Sequence, residues 1–312
     1  MSVPKNGGKK KHRAGFVAIL GRPNAGKSTL LNTLLGTKLA AIASKPQTTR
    51  TAIQGVLTLP DAQIVFVDTP GIHKSTTLLN RQMMKTVRAA ADAPDVVLFV
   101  VDVLTPFSED DAQALDLAKK VDAPLIAVFN KMDWLDKKPK LIEVLEKYRA
   151  LHDFAAYVPI SARKGDDIEI LVDEIVKHLP VAPPLFPADY LTDQPERFLA
   201  AEVIREKVLH HTDKEVPHAV AVTIESWEEV KRKDKLQPRL LRISATISVE
   251  RDGQKAILIG AGGAKLKTIG TLARKELERT LDSKVFLQTF VKVRPGWRDD
   301  PEGLRMVDWR TE

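Results

Sequence analysis

The octapeptide Gly21-Arg22-Pro23-Asn24-Ala25-Gly26-Lys27-Ser28 constrains the fold more tightly than any other stretch of this 312-residue chain. It follows the apolar run 16–20 and opens the helically spaced segment 27–35, which places it on a strand-to-helix turn. The spacing G-x-x-x-x-G-K-[ST] lets the backbone curl until its amides face a phosphate at the positive end of a helix. Lys27 then reaches the β- and γ-oxygens of a triphosphate and holds charge there, and Ser28 offers a hydroxyl to Mg2+. The expected nucleotide contacts here are Gly21, Arg22, Pro23, Asn24, Ala25, Gly26, Lys27, Ser28 and Thr29.

Apolar runs bounded by turns recur at 16–20, 53–57, 64–67, 96–101, 125–129 and 157–160, and helical spacing fills 27–35, 79–90, 109–119, 140–150 and 167–178. Strand alternating with helix predicts an α/β fold, a doubly wound, mostly parallel sheet with helices on both faces. The runs 53–57 and 64–67 are joined only by a short loop through Pro60 and Asp61, which predicts one antiparallel hairpin at the sheet edge. Prolines at 180, 183, 184, 187 and 195 then mark a linker. Beyond it the order becomes α+β: helix 196–209, strands 219–224 and 241–250, helices 255–259 and 264–281, strand 284–293. The expected organisation is a basic flexible tail over 1–14, a first domain over 15–180, a linker over 181–195, a second domain over 196–298 and an acidic tail over 299–312.

Composition narrows the function classes. With 44% hydrophobic and 29% charged residues the chain can bury a core, and without cysteine it has no disulfide or thiolate zinc site. Neither 16–20 nor 96–101 reaches the roughly 20 residues of a spanning helix or the 7–15 of a signal sequence, and the cytoplasm is the default expectation. The net charge of +7 suits a polyanionic partner, and its surplus sits in the N-terminal tail and the body of the second domain.

Four further motifs extend the phosphate loop into a complete site. Asp68-Thr-Pro-Gly71 follows a strand, so that Asp68 can bind Mg2+ and the Gly71 amide can meet a γ-phosphate, a contact that ends on hydrolysis. Asn130-Lys131-Met-Asp133 follows another strand; Asp133 can accept from guanine N1–H and the exocyclic amine, Asn130 can brace the loops, and the Lys131 stem can lie along the base. That pairing selects GTP over ATP, since adenine cannot donate it. Ser161-Ala162 would add a backbone amide, that of Ala162, to guanine O6. Thr48 and Thr49 lie in the polar loop before the second strand, with Thr49 the favoured third Mg2+ ligand beside Ser28 and Asp68. Lys27, Thr49 and Gly71 are thus the expected catalytic set. Ile72 stands where many GTPases carry a water-orienting glutamine, so hydrolysis is expected to be slow; His73 is a poor base candidate, and Asn24 is a candidate ligand for K+.

In the second domain, Gly260-Ala261-Gly262-Gly263 with Lys265 and Lys267 has the G-x-x-G spacing between two helices, and Arg274 and Lys275 follow on the longer one. With the order helix–strand–strand–helix–helix–strand it resembles a type II KH domain, in which such a loop packs against an RNA backbone. Ala261 and Gly262 replace the lysine or other polar residue common there, which predicts weaker RNA affinity.

Taken with Gln47-Thr-Thr-Arg50 and Asp68-Thr-Pro-Gly-Ile-His73, these motifs occur in the order of the Era family of GTPases, which the chain resembles from about residue 15 to 310. The resemblance implies GTP, GDP and Mg2+ as ligands, binding near the 3′ end of 16S ribosomal RNA, a role in maturing the 30S subunit, and peripheral association of some members with the inner face of the cell membrane. A monomer is expected. The rival expectation is a GTPase whose KH-shaped domain recruits a protein or an anionic membrane.

Overall fold

Two sheets organise the computed structural model, which describes residues 11–45, 48–71, 77–90, 92–135, 138–213, 216–230 and 238–308. The first has six strands in the order β2-β3-β1-β4-β5-β6. Its elements are β1 (Arg13–Leu20), α1 (Lys27–Leu35), β2 (Ile53–Thr58), β3 (Ala62–Asp68), α2 (Leu78–Ala90), β4 (Val96–Asp102), α3 (Glu109–Ala118), β5 (Leu125–Asn130), α4 (Lys138–Leu151), β6 (Ala156–Pro159) and α5 (Ile168–His178). Only the β2–β3 pair is antiparallel, the edge hairpin expected from the sequence.

Strand periodicity sorts the core into two layers. Val17 and Ile19 of β1 and Leu98 and Val100 of β4 pack with α1 and α5, through Leu30, Leu34, Leu171 and Ile175. The alternate residues Ala18, Leu20, Phe99 and Val101 pack on the other face against Val87, Ala114 and Leu115 of α2 and α3. Every residue of β4 and β5 is buried, which is why those strands read as unbroken apolar runs. Because five strands run in parallel, the loops after β1, β3, β4, β5 and β6 all emerge at one edge of the sheet.

The second sheet has the order β7-β8-β9, with β8 antiparallel to β7 and parallel to β9. It is built from α6 (Glu196–His210), α7 (Val216–Ala219), β7 (Ala221–Glu229), β8 (Leu240–Val249), α8 (Asp252–Ile259), α9 (Ala264–Thr280) and β9 (Lys284–Val293). Leu241, Ile243, Ala245, Ile247 and Val249 of β8 point at Ala200, Ile204, Ile269, Ala273 and Leu277, so the helices cover a single face.

Two expectations are corrected, and the linker takes a defined course. Arg13 and Ala14 belong to β1 rather than to a flexible tail, because Arg13 pairs with Ala62 in the ladder and its guanidinium donates to the carbonyl of Leu179. The segment 181–195 is docked: Leu191 O accepts from Val56 N at 2.8 Å, and Gln63 Oε1 accepts from the amides of Leu185 and Phe186 at 2.6 and 2.8 Å. It thereby covers the β2 edge, whose backbone would otherwise be unpaired. Finally, the acidic stretch 299–308 is folded. A 3-10 turn at Trp297–Asp299 leads into α10 (Pro301–Arg305), capped by Asp300, and Leu304 packs with Leu79 and Met83 of α2. The acids act as caps there, since Asp299 Oδ1 accepts from Leu78 N at 2.8 Å. No helix among the described residues is long and apolar enough to cross a membrane.

Candidate functional site

A cleft of about 760 Å3 opens at the carboxyl edge of the first sheet, lined by Asn24, Gly26, Lys27, Thr49, Asp133 and Ala162 among others. The octapeptide curls because Asn24 and Gly26 both adopt left-handed backbone angles, with φ of 62° and 99°. At Gly26 a Cβ would strike the Asn130 side-chain amide, so glycine is required for contact as well as for conformation. Asn130 joins three loops: its Nδ2 donates to Ala25 O at 2.9 Å, and its Oδ1 accepts from Lys131 N and Ala162 N at 2.8 and 3.0 Å.

Lys27 is buried, with Nζ donating to Gly21 O at 3.0 Å and Arg22 O at 2.9 Å. Burial pulls its pKa down to about 8; the neighbouring Asp68 carboxylate opposes that pull and Arg22 adds to it. Ser28 Oγ donates to Asp68 Oδ2 at 2.7 Å and lies 2.6 Å from Thr49 Oγ1, which is itself 3.5 Å from Asp68 Oδ2. Burial raises the Asp68 pKa to about 6 against the opposing effects of Lys27, Ser28 and Thr49. Its second oxygen, Oδ1, is buried without a hydrogen-bond partner. Two hydroxyls and a desolvated carboxylate with an unused oxygen are a hard, all-oxygen donor set that suits Mg2+. Thr48 stands apart, its hydroxyl donated to Lys45 O at 2.6 Å.

At the other end of the cleft the Asp133 side chain is 2% exposed, and its Oδ1 accepts from Ser161 Oγ at 2.8 Å. Its Oδ2 is buried and makes no hydrogen bond, although Arg163 Nε lies 3.5 Å away, a charge contact too long to satisfy it. A buried carboxylate with one free oxygen is poised to accept from a donor pair such as guanine presents. Lys131 lines the cleft with φ of 73°, and its Nζ bonds Asp102 Oδ2 at 2.7 Å and Asn24 O at 2.9 Å.

Some expected contacts are arranged otherwise. The Arg22 side chain leaves the cleft for Asp102 Oδ2, at 2.9 Å, and Asp111, so it pins the loop from behind. The Ala162 amide, expected to face guanine O6, is donated to Asn130. Gly71 lines the cleft and approaches Pro23 so closely that an added Cβ would lie 2.8 Å from Pro23 Cα. Gln47, Ile72 and His73 lie outside the described residues. Trp134 and Arg163 also line the cleft and were not foreseen; the guanidinium lies 4.9 Å from the indole centroid. Their signal in the sequence was only their place directly after Asp133 and Ala162.

In the second domain Gly260, Gly262 and Gly263 take φ of 70°, 55° and 79°, and the exposed loop Gly260–Gly263 leads into the N-terminus of α9. Lys265 is half-buried and Lys267 exposed beside it, so amides and cations face the same solvent, an arrangement suited to phosphates. Arg274 is committed to Glu278 at 3.1 Å.

Fold and site together define a P-loop GTPase that carries a type II KH domain. Family models agree: residues 16–131 match "50S ribosome-binding GTPase" and residues 215–298 match "KH domain". GTPase Era of Geobacter metallireducens is 48% identical over 297 residues, 95% of this chain and 98% of the relative. That of Syntrophus aciditrophicus is 46% identical over 293 residues, 94% of each. The chain belongs to the Era family of GTPases. Among solved structures, Aquifex aeolicus Era bound to GDP·AlF4−, a point variant, matches with a TM-score of 0.89 at 40% identity over 95% of this chain and 99% of that one. Era in complex with MgGDPNP and nucleotides 1506–1542 of 16S ribosomal RNA matches with a TM-score of 0.89 at 40% identity, over 96% of this chain and 99% of that one.

Proposed function

We propose that this chain is a GTP-driven switch that binds single-stranded RNA near the 3′ end of 16S ribosomal RNA during assembly of the 30S subunit. The observation that carries the reading is the match, across both domains, to the Era complex holding MgGDPNP and that RNA segment. In this reading the loop Gly21–Thr29, through its backbone N–H groups other than at Pro23, and the Lys27 ammonium grip the phosphates, and Asp133 selects guanine through its unbonded oxygen. Ser28, Thr49 and Asp68 hold Mg2+, which neutralises charge developing on the phosphates when bound. Lys27, Thr49 and the Gly71 amide supply the catalytic contacts. Gly260, Ala261, Gly262, Gly263, Lys265 and Lys267 carry the RNA backbone.

Asn24 lies in the cleft and donates Nδ2 to Ser44 O at 3.2 Å, which turns its carbonyl oxygen into the group offered to K+. Faster turnover in K+ than in Na+, lost in Asn24→Ala, is the expected result; equal turnover in the two salts ends that assignment. The same reading makes the protein a cytoplasmic monomer whose contact with the inner face of the cell membrane is peripheral.

Selection of oligonucleotides from a random single-stranded pool, run with the GTP-analogue and GDP forms, tests partner and switching together. One short motif should be enriched, more strongly in the analogue form. Enrichment of none, alongside binding to anionic vesicles, would transfer the second domain to a membrane partner.

A further inference from the structure

The helices of the KH domain cover one face of its sheet, and the other face carries two exposed aromatic rings. On β9, Phe286 and Phe290 are 54% and 52% exposed, whereas Val285 is buried and Leu287, Val291 and Val293 pack against the core. Gly270 of α9 sits close to Thr289, which fixes the odd-numbered residues of β9 on the helix side. Phe286, Gln288, Phe290 and the exposed Lys284 and Lys292 therefore stand on the open side.

The chemistry of this strip is specific. β9 is an edge strand without an acidic residue, and neither Lys284 nor Lys292 is in an ion pair with a described residue. Arg242 faces Phe286 across the β8–β9 register. Acids gather instead on β7, at the opposite edge about 10 Å away, where Glu228 lies 3.8 Å from Arg242. A purely apolar protein partner would be met by a contiguous apolar patch. Here two isolated rings are separated by an amide side chain and flanked by ammonium groups, the combination that single-stranded nucleic acid uses, bases on rings and phosphates on cations. Four steps along the strand, past three intervening residues, separate the rings by about 13 Å, which leaves room for a base on each with the intervening nucleotide spanning Gln288.

We infer that the open face of the KH sheet along β9 is a second RNA-contact surface, with Phe286 and Phe290 as its stacking platform. The inference rests on the reading of this chain as an RNA-binding protein and adds a surface outside the glycine loop. Both α8 and α9 pack on β9, so a strand leaving the helix side crosses this edge to reach the rings.

The test uses the full chain in its GTP-analogue form and an RNA of the 1506–1542 sequence. Phe286→Ala with Phe290→Ala should weaken binding by about tenfold or more while the melting temperature holds, because both rings are exposed. Phe286→Tyr with Phe290→Tyr should restore it, and Phe290→Trp should show emission quenched on adding RNA. Binding by the alanine pair equal to wild type, with Gly263→Asp alone abolishing it, overturns the second surface and leaves the glycine loop standing. Unquenched emission from Phe290→Trp in a bound complex overturns it as well. A wild-type chain that binds no RNA sinks both readings.

Discussion

The guanidinium of Arg50 lies over the indole of Trp297, 5.5 Å from the ring centroid, and ties the residue after Thr49 to the 3-10 turn Trp297–Asp299. Its Nη1 donates to Val220 O at 2.6 Å and its Nη2 to Pro217 O at 3.2 Å. Arg205 of α6 donates to Thr48 O from the same domain. The loop that brings Thr49 to Ser28 and Asp68 is thus gripped from behind by the KH domain.

Arg50→Ala should therefore affect both stability and turnover. Two carbonyls lose their donors and Trp297 its cation, a loss of about 2–4 kcal/mol in unfolding free energy. Thr49 also loses its anchor, so GTP turnover should fall more than GDP affinity does. Denaturant unfolding and single-turnover hydrolysis check both; a variant as stable and as fast as wild type would show that the contact carries no load.

Asp133→Asn replaces the free acceptor with a group that can donate. GTP affinity should drop by about a hundredfold or more and XTP affinity should rise, since xanthine offers a carbonyl where guanine has its amine. Competition of both nucleotides against a fluorescent GDP analogue measures the swap. Unchanged GTP affinity removes Asp133 from the base pocket.

Gly263→Asp places a carboxylate at φ of 79° at the head of α9, where phosphate is expected. RNA binding should be lost through repulsion, with GTP hydrolysis nearly intact because the cleft is in the other domain. Filter binding and phosphate release separate the two effects, and surviving RNA affinity would exclude the glycine loop.

Glu206 is held between the domains by Lys38 at 2.7 Å, Lys207 at 2.8 Å and Ile42 N at 2.8 Å, with Glu276 sharing both lysines. Burial alone would raise its pKa, but the bonds from Lys207, Lys38 and the Ile42 amide together hold it below the ordinary 4.5. A carboxyl whose folded pKa is depressed stabilises the fold above its unfolded value, and that stability is lost as pH falls through the folded one. Glu206→Gln should then melt several degrees below wild type at pH 7, and the gap should close as pH drops under 4.5. A gap independent of pH would assign the loss to packing.

Local chemistry was legible in the sequence and long-range pairing was not. The turn at Gly21–Ser28 and the strand ends at Asp68, Asn130 and Asp133 follow from spacing and flanking apolar runs, because each motif carries its own backbone requirement. The first sheet follows from alternation of strand and helix, and the second from the helix–strand–strand–helix–helix–strand order after the prolines. Asp299 and Asp300 read as part of an acidic tail, since nothing local reveals that they cap α2 and α10 while Leu304 reaches Leu79. The Ala162 amide and residue Arg22 were likewise assigned to the nucleotide from position alone. Their actual partners, Asn130 and Asp102, come from other strands and are fixed only by the tertiary fold.

Calorimetric titration of the purified chain with GDP and with ADP in magnesium buffer asks most directly whether this cleft reads guanine. Saturable GDP binding at least about a hundredfold tighter than that of ADP is the expected result, because adenine cannot give Asp133 its two donors. Equal affinities, or no heat with GDP, would contradict it.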